Sequence, residues 1–365
     1  MKLNRISIVN YKNIMQAELE FSPKINCFIG NNGVGKTNVL DAMYYLSFCK
    51  SHSNLIDNQN INHESEFFVI DGQYERNGTE ENVYCALKRR QKKVFKHNKK
   101  EYEKLADHIG KFPLVLISPD DISLIYEGSE TRRKFIDGVI SQYDLDYLTA
   151  LLRYNKTLQQ RNALLKNDNP SDELLTIFDG IMHECGIVIF RKRKEFIDKF
   201  IPIFQQYYEI VSQNKESVNL EYDSQLLRNE NLGELLGETH ERDKILGYTT
   251  RGIHKDDLLM SLGELPIKRV GSQGQNKTYL IALKFAQFEF LKQIHREKPI
   301  LLLDDLFDKL DAERVQQIIH LVANDRFGQI FITDTNRKNL DEILRKTGQD
   351  FMLFGVEKGN ITQLP

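Results

Sequence analysis

Gly30-Asn31-Asn32-Gly33-Val34-Gly35-Lys36-Thr37 decides the fold. It fits the pattern G-x-x-x-x-G-K-[ST], and its setting is the one that pattern requires. An apolar run over Ile25–Ile29 precedes it. Val39, Leu40, Ala42, Met43 and Leu46 follow it at helical spacing from Asn38 onward. Glycines let the backbone wrap a phosphate and aim its N–H groups inward, and the helix adds the positive end of its dipole. Gly30, Asn31, Asn32, Gly33, Val34, Gly35, Lys36, Thr37 and Asn38 are therefore the expected nucleotide contacts. Lys36 is expected at the β- and γ-phosphates, and Thr37 at Mg²⁺ through its hydroxyl. A glycine-rich strand-to-helix turn without ligand would also fit the residues, but the strand–loop–helix setting favours the phosphate.

Such a loop needs a parallel neighbour strand ending in a carboxylate. Residues 300–303 are four aliphatics followed by Asp304 and Asp305. Asp304 is the expected Mg²⁺ ligand and Asp305 the group that polarises the attacking water. An ordinary interior strand does not explain two adjacent carboxylates there. Transport-type ATPases mostly carry Glu at the second position, so the shorter Asp305 implies slow hydrolysis. A second apolar stretch, 329–332, ends in Thr333-Asp334.

Outward from this centre, residues 1–30 alternate with the period of half-buried strands, as do residues 66–100. Residues 112–117 form an apolar stretch closed by Ser118-Pro119-Asp120-Asp121, a turn or helix start. Residues 131–166 and 172–211 each carry apolar side chains at helical spacing. In the second they are Leu174, Ile177, Ile181, Cys185, Val188, Phe196, Phe200 and Ile203. Two long helices joined by 167–171 would form an antiparallel hairpin, with Pro202 kinking or ending the second. Residues 213–225 read as loop. The expected architecture is α/β: one ATP-binding head built from both chain ends (1–112 and 236–365), interrupted by a helical lobe over 113–235.

The chain has 365 residues, 50 Lys+Arg against 52 Asp+Glu, and 41% hydrophobic residues. That is a folded-protein composition, with no global charge to favour nucleic acid. No apolar run is long enough to span a membrane. The start, MKLNRISIVNYKN, lacks the apolar core of a signal peptide. Cys27, Cys49, Cys85 and Cys185 form no C-x-x-C pair, so a reduced, cytoplasmic chain is expected, without a zinc site or disulfide framework. DNA binding must rest on local charge. Between 88 and 100 stand Lys88, Arg89, Arg90, Lys92, Lys93, Lys96, Lys99 and Lys100 around Val94 and Phe95, read as a β-hairpin. They are candidate phosphate contacts, against the reading of a solvated charged hairpin. Arg191-Lys192-Arg193-Lys194 reads as a solvated face, and Arg132 and Arg133 as contacts or as internal salt bridges.

Gly271-Ser272-Gln273-Gly274-Gln275 precedes a strongly helical segment. A serine and glycine at a helix start suit an anion, although an ordinary capped helix has the same residues. The loop resembles the L-S-G-G-Q signature of the ABC ATPase class, with Gln273 in place of a glycine. In that class the signature reaches the γ-phosphate held by the other subunit, which implies a two-fold dimer closing over two ATP molecules. Asp308 and Asp311 stand where the class has a dimer-contacting loop; a helix N-cap is the alternative for Asp311.

Further segments narrow the resemblance. They are Ile117-Ser118-Pro119-Asp120-Asp121, the stretch from Gly128 through Arg132-Arg133 to Asp137, and that from Tyr154 through Gln160-Arg161-Asn162 to Lys166. Gly252, His254, Lys255, Asp256 and Asp257 complete the set, with 271–275 and the double Asp. Over essentially its whole length the chain resembles the RecF family of bacterial recombination mediators. The resemblance implies an ABC/SMC-type head with a helical second lobe, ATP and Mg²⁺, and ATP-dependent homodimerisation on double-stranded DNA and single-/double-strand junctions. It also implies action with RecO and RecR in loading RecA at gapped DNA, in recombinational repair and replication-fork maintenance. No membrane partner is implied. The class's switch histidine is absent after the last strand, where Thr333 or Asp334 is the candidate. No Q-loop glutamine is evident; Asp120 or Asp121 stands there by position. An ATPase subunit of a membrane transporter and an SMC-type structural or end-processing ATPase are the alternatives, the first opposed by the strand-rich start and the family segments, the second by the shortness of the helical hairpin.

Overall fold

The computed structural model describes residues 1–213, 216–306, 318, 321–322, 326–335, 348 and 350–365. The chain divides into two compact units, 1–121 with 280–365, and 122–279.

The first unit is built on two sheets. The mixed sheet runs in the order Asn360–Leu364, Phe351–Glu357, Ile25–Ile29, Ile330–Asp334, Ile300–Leu303, Leu114–Ile117, all neighbours parallel except the terminal hairpin. Every residue of Ile25–Ile29, Ile300–Leu303 and Leu114–Ile117 is buried, which is why these strands read as apolar runs rather than alternating ones, broken only by Asn26, whose amide bonds the Ser22 backbone. The second sheet is antiparallel, in the order Ile14–Glu20, Lys2–Tyr11, Phe67–Arg76, Thr79–Lys88, Val94–His97, Lys100–Glu101. Here one face is buried, so Leu3, Ile6, Ile8 and Tyr11 go inward with polar residues between them. Side chains from both sheets and from the helix Lys36–Phe48 form one apolar cluster, including Ile6, Ile8, Phe28, Leu40, Met43, Phe68, Leu302 and Phe331.

The second unit contains three longer helices, Ser129–Ile140, Leu145–Leu164 and the 41-residue Asp172–Ser212. It also has a three-stranded antiparallel sheet, Val218–Asp223 beside Asp257–Leu262 beside Leu265–Pro266. Several expectations change. The unit boundaries fall at 122 and 279 instead of 113 and 235. Leu114–Ile117 hydrogen-bonds to Ile300–Leu303 in the first unit, and Val218–Asp223, in a segment read as loop, pairs with Asp257–Leu262. The lobe is therefore helical and stranded together. The single helix expected over 131–166 is interrupted at 141–144, because the Asp144 carboxylate accepts the N–H of Tyr147 and starts a new helix. Pro202 lies inside Asp172–Ser212 without ending it. Phe196, Phe200, Phe204 and Tyr208 are buried on either side of it, holding the helix through the one lost backbone bond. Cys185, Phe196 and Phe200 are buried as expected, but elsewhere the inward face differs. Leu174 (45%), Ile177 (52%) and Val188 (38%) are exposed, while Leu175, Met182, Ile189 and Phe190 are inside.

Charge is buried in that interior as well. Arg193 is 1% exposed. Its guanidinium reaches Asp137 and Asp256, each at 2.8 Å, and also the Ile253 carbonyl and the Tyr147 hydroxyl. The run 191–194 is thus not a uniformly solvated face. Arg161, fully buried, bonds Asp179, Asp243 and Thr249. Arg132 forks onto Asp257 at 2.6 and 2.9 Å, and Arg133 donates to the Asp256 carbonyl, so both arginines serve internal bonds.

His254 belongs to this interior. Its Nε2 faces the Thr249 carbonyl at 3.1 Å and its Nδ1 the Tyr154 hydroxyl at 2.9 Å; a carbonyl only accepts, so Nε2 carries the proton. Burial first, then the nearby Lys255, Arg133 and Arg161, bring its pKa down from 6.5 to about 4. Above pH 6.5 the ring is neutral folded or unfolded. Below it, the unfolded chain takes up a proton that the folded one refuses, so stability falls as pH drops from 6.5 toward 4. Urea midpoints across this window should decline less in His254→Gln, the wild-type imidazole accounting for a loss of about 3 kcal/mol at most.

Candidate nucleotide site

Parallel pairing brings the candidate residues of the first unit together. Asp334 is level with Ile29, and Leu303 with Ile332. The glycine loop, Asp304–Asp305 and Thr333–Asp334 therefore emerge at the carboxyl ends of three adjacent strands, where open α/β sheets bind ligands. A cavity of about 260 Å³ lies there, lined by Asn32, Gly33, Gly35, Lys36, Thr37, Asn38, Asp304 and Asp305. A larger cavity, about 620 Å³ with Lys2, Lys24, Arg296 and Lys298 in its wall, lies by the opposite strand ends and holds none of the candidate residues.

The loop keeps its shape through close backbone approaches. A Cβ on Gly30 would lie 2.3 Å from the Val356 carbonyl oxygen. Gly35, at φ 115°, begins the helix Lys36–Phe48, whose first turn has neither a side-chain cap nor an acidic residue. Its N–H groups are thus presented with the helix dipole toward the cavity. The Lys36 ammonium donates to the carbonyls of Gly30 (2.8 Å) and Asn31 (2.9 Å). Burial lowers its pKa, opposed by the charges of Asp305, Asp304 and Asp334.

Thr37 Oγ1 lies 3.0 Å from both carboxylate oxygens of Asp304. Thr333 Oγ1 donates to Asp304 Oδ1 at 2.7 Å and accepts the Asp305 N–H at 2.9 Å. Burial raises the Asp304 pKa, and these two hydroxyls oppose the rise. Loop residues, Lys36, Thr37, Asp304 and Asp305 thus line one cavity.

Asn13 joins them unannounced. It stands in the tight turn between Lys2–Tyr11 and Ile14–Glu20. Its amide nitrogen donates to the Val34 carbonyl at 3.0 Å, and its oxygen accepts from Asn38 at 2.7 Å. Gly359 N–H also binds Val34 O, at 2.8 Å. An Asn between two strands signals a turn and nothing more, so its reach to the loop is visible only in three dimensions. Behind the helix, Asp41 is buried and accepts from the Tyr11 and Ser51 hydroxyls and the His52 N–H, with Lys12 paired to it at 2.6 Å.

The other candidates are placed differently. Ser272 through Gln275 belong to the second unit. Ser272 Oγ accepts the Gln275 N–H at 3.2 Å, while Gln275 Oε1 accepts the Ser272 N–H at 2.7 Å, a reciprocal capping box opening the helix Gln273–His295. Ser272 and Gln273 are exposed. Asp308 and Asp311 lie outside the described residues. Asp121 is committed to Lys284 at 2.7 Å and to the Ser118 N–H at 2.8 Å, which makes it a turn-forming residue. Of the basic cluster, Lys93 is turned inward onto Asp57, Tyr45 and the Cys49 carbonyl. Arg89 donates to the Ser65 and Asn62 carbonyls, and Lys96 sits over the Tyr84 ring. Lys88, Arg90 and Lys92 are exposed in or beside one turn, and Lys99 and Lys100 at the other end of the four-residue strand Val94–His97. Five side chains are thus presented, in two groups, instead of one strip of eight.

The fold and site define a P-loop head of the RecF/RecN/SMC class: a family model of the RecF/RecN/SMC N terminal domain matches residues 2–355. The DNA replication and repair protein RecF of Phocaeicola vulgatus is 62% identical over 366 residues, covering all of this chain and 98% of that protein. Two solved structures of the recombination mediator RecF in the RecFOR pathway, RecF-ATPrS and RecF-ATP, match with TM-scores of 0.90 and 0.89. Each is 29% identical and covers 100% of this chain and 98% of that one. The chain belongs to the RecF family. Among the described residues no helix is long and apolar enough to cross a membrane.

Asn13→Ala removes two bonds that brace the loop and leaves the Gly359 bond in place. A fluorescent ATP analogue should bind about tenfold more weakly, the equivalent of about 1.4 kcal/mol or one to two net hydrogen bonds.

Proposed function

We propose that this chain binds and hydrolyses ATP as a switch for self-association on DNA, acting in recombinational repair and replication with RecR and RecO and in the loading of RecA. The contact that carries the reading is Thr37 Oγ1 at 3.0 Å from Asp304 inside the glycine-loop cavity. It brings a hydroxyl and a carboxylate from residues 267 apart to one point beside a lysine. Family membership and the ATP-bound relatives support the same reading.

Among the described residues no cluster of three His, Cys, Asp or Glu could cage a metal. One carboxylate and one hydroxyl suit Mg²⁺, which binds few protein oxygens and completes its shell with phosphate and water. Thr37 and Asp304 would hold this ion, which when bound neutralises charge on the β- and γ-oxygens. The loop N–H groups from Gly33 to Asn38 bind and orient the triphosphate, and Lys36 supplies a positive charge beside it. Asp305, whose side chain lines the cavity, accepts a hydrogen bond from the attacking water and orients it. With one methylene fewer than Glu it reaches less far, which favours slow turnover.

The second copy enters through Ser272. Its exposed hydroxyl, the remaining first-turn N–H groups and the dipole of a 23-residue helix suit an anion, so the γ-phosphate of a partner would be bound there. Binding of ATP would then join two heads, and hydrolysis release them. Size measurements at micromolar protein should show a dimer with ATP and a monomer without it. Lys36→Arg and Ser272→Arg should each stay monomeric with ATP. A wild-type chain that remains monomeric with ATP removes this mechanism. ATP hydrolysis rising on addition of duplex DNA distinguishes the reading from a transporter subunit.

For DNA we propose the exposed set Lys88, Arg90, Lys92, Lys99 and Lys100. Their contacts would be to phosphates, independent of sequence and weakened by salt. Replacing Lys88, Arg90 and Lys92 by Ala should flatten the slope of log affinity against log salt by up to about 2.7, at about 0.9 per phosphate. Lys93→Ala, whose ammonium faces Asp57, should leave the slope unchanged.

A further inference from the structure

Thr333 has no exposed surface. It follows Ile332, and because Ile332 is level with Leu303 in the parallel pair, it is carried alongside Asp304. Valine has the same shape and suits a buried strand better, so the hydroxyl is the informative part of this residue. That hydroxyl has one proton and gives it to Asp304 Oδ1 at 2.7 Å. Its lone pair takes the Asp305 N–H at 2.9 Å. Asp305 needs such a restraint, because its φ of 46° is left-handed, a conformation residues other than glycine seldom adopt. One side chain therefore sets two carboxylates. It occupies one oxygen of Asp304 and helps to turn that carboxylate toward Thr37, and it fixes the backbone from which Asp305 enters the cavity.

Resting on the site reading given above, we infer that Thr333 is a positioning residue for ATP hydrolysis, orienting Asp304 and Asp305 together through one hydroxyl without touching the nucleotide. It thereby ceases to be a candidate for the switch that senses the γ-phosphate. Its effect is on the carboxylates, so triphosphate binding through the loop should be spared while the metal-dependent part of binding and the chemical step suffer.

The experiment compares Thr333→Val with Thr333→Ser in the full chain, reading kcat, KM for ATP and the Mg²⁺ concentration that half-saturates binding of a fluorescent ATP analogue. Valine should lower kcat at least about tenfold, move KM less than about threefold and raise the Mg²⁺ requirement. Serine should restore kcat and the Mg²⁺ requirement to within about threefold, the pattern of an interaction acting on turnover more than on ground-state binding. Should the Val chain fail to fold, Thr333→Cys, with its weak S–H donor, takes its place under the same expectations. A valine chain matching wild type in kcat and Mg²⁺ requirement overturns the inference. So does a serine chain as impaired as valine, since packing and not the hydroxyl would then matter. A wild-type chain that neither binds nor hydrolyses ATP overturns the site reading itself, a failure separate from these.

Discussion

A carboxylate at the end of a dry strand must find hydrogen-bond donors or give up its charge. Asp304, 6% exposed, finds two, from Thr37 and Thr333. Both arrive from elsewhere in the chain, one on the helix behind the glycine loop and one on the neighbouring parallel strand. That meeting requires three strands in fixed register, Ile25–Ile29, Ile330–Asp334 and Ile300–Leu303, and the helix Lys36–Phe48 held behind them. Those strands are buried on both faces, so their side chains cannot be solvated in any other arrangement. The helix depends on its packing against the antiparallel sheet and on the buried Asp41, which bonds Tyr11 of the first strand. The cavity is thus a by-product of satisfying one buried charge.

The head was legible because its chemistry is local. Eight residues of loop between strand and helix, and four aliphatics before two acids, each make sense in a short window. What escaped the sequence was whatever depends on distant partners. Asn13 gave no sign of its role, Arg193 looked like one of four solvated charges, and 218–223 like loop, because a carbonyl, two aspartates and a pairing strand were out of view. Leu174 and Ile177 are exposed near the start of the long helix while Cys185, Phe196 and Phe200 further along are buried, a distinction that periodicity alone could not fix. Asp144 and Pro202 show the limits of local signals in opposite directions. The first starts a helix inside an uninterrupted apolar pattern, and the second fails to stop one that packing sustains.

The segments that carried the family resemblance tell a related story. Arg132, Arg133, Asp137, Tyr154, Arg161, His254, Asp256 and Asp257 all take part in one unit's interior bonds. Their identity is demanded by charges removed from water, where losing one partner strands another. Ser272 shows the same economy at the surface, where its backbone and side chain exchange bonds with Gln275 to cap a helix that begins in solvent.

The sheet order has a consequence for biosynthesis. Ile25–Ile29 is flanked by Ile330–Asp334 and Phe351–Glu357, so the ribosome must add about 300 further residues before either flanking strand exists. At about 5–20 residues per second that delay is roughly 15–60 s. During it the fully buried strand Ile25–Ile29 has no parallel neighbour, while the interposed unit, with every element of its own sheet and helices already made, is free to fold. A polypeptide that stops before residue 300 thus lacks both strands that flank Ile25–Ile29, and with them Asp304 and Thr333.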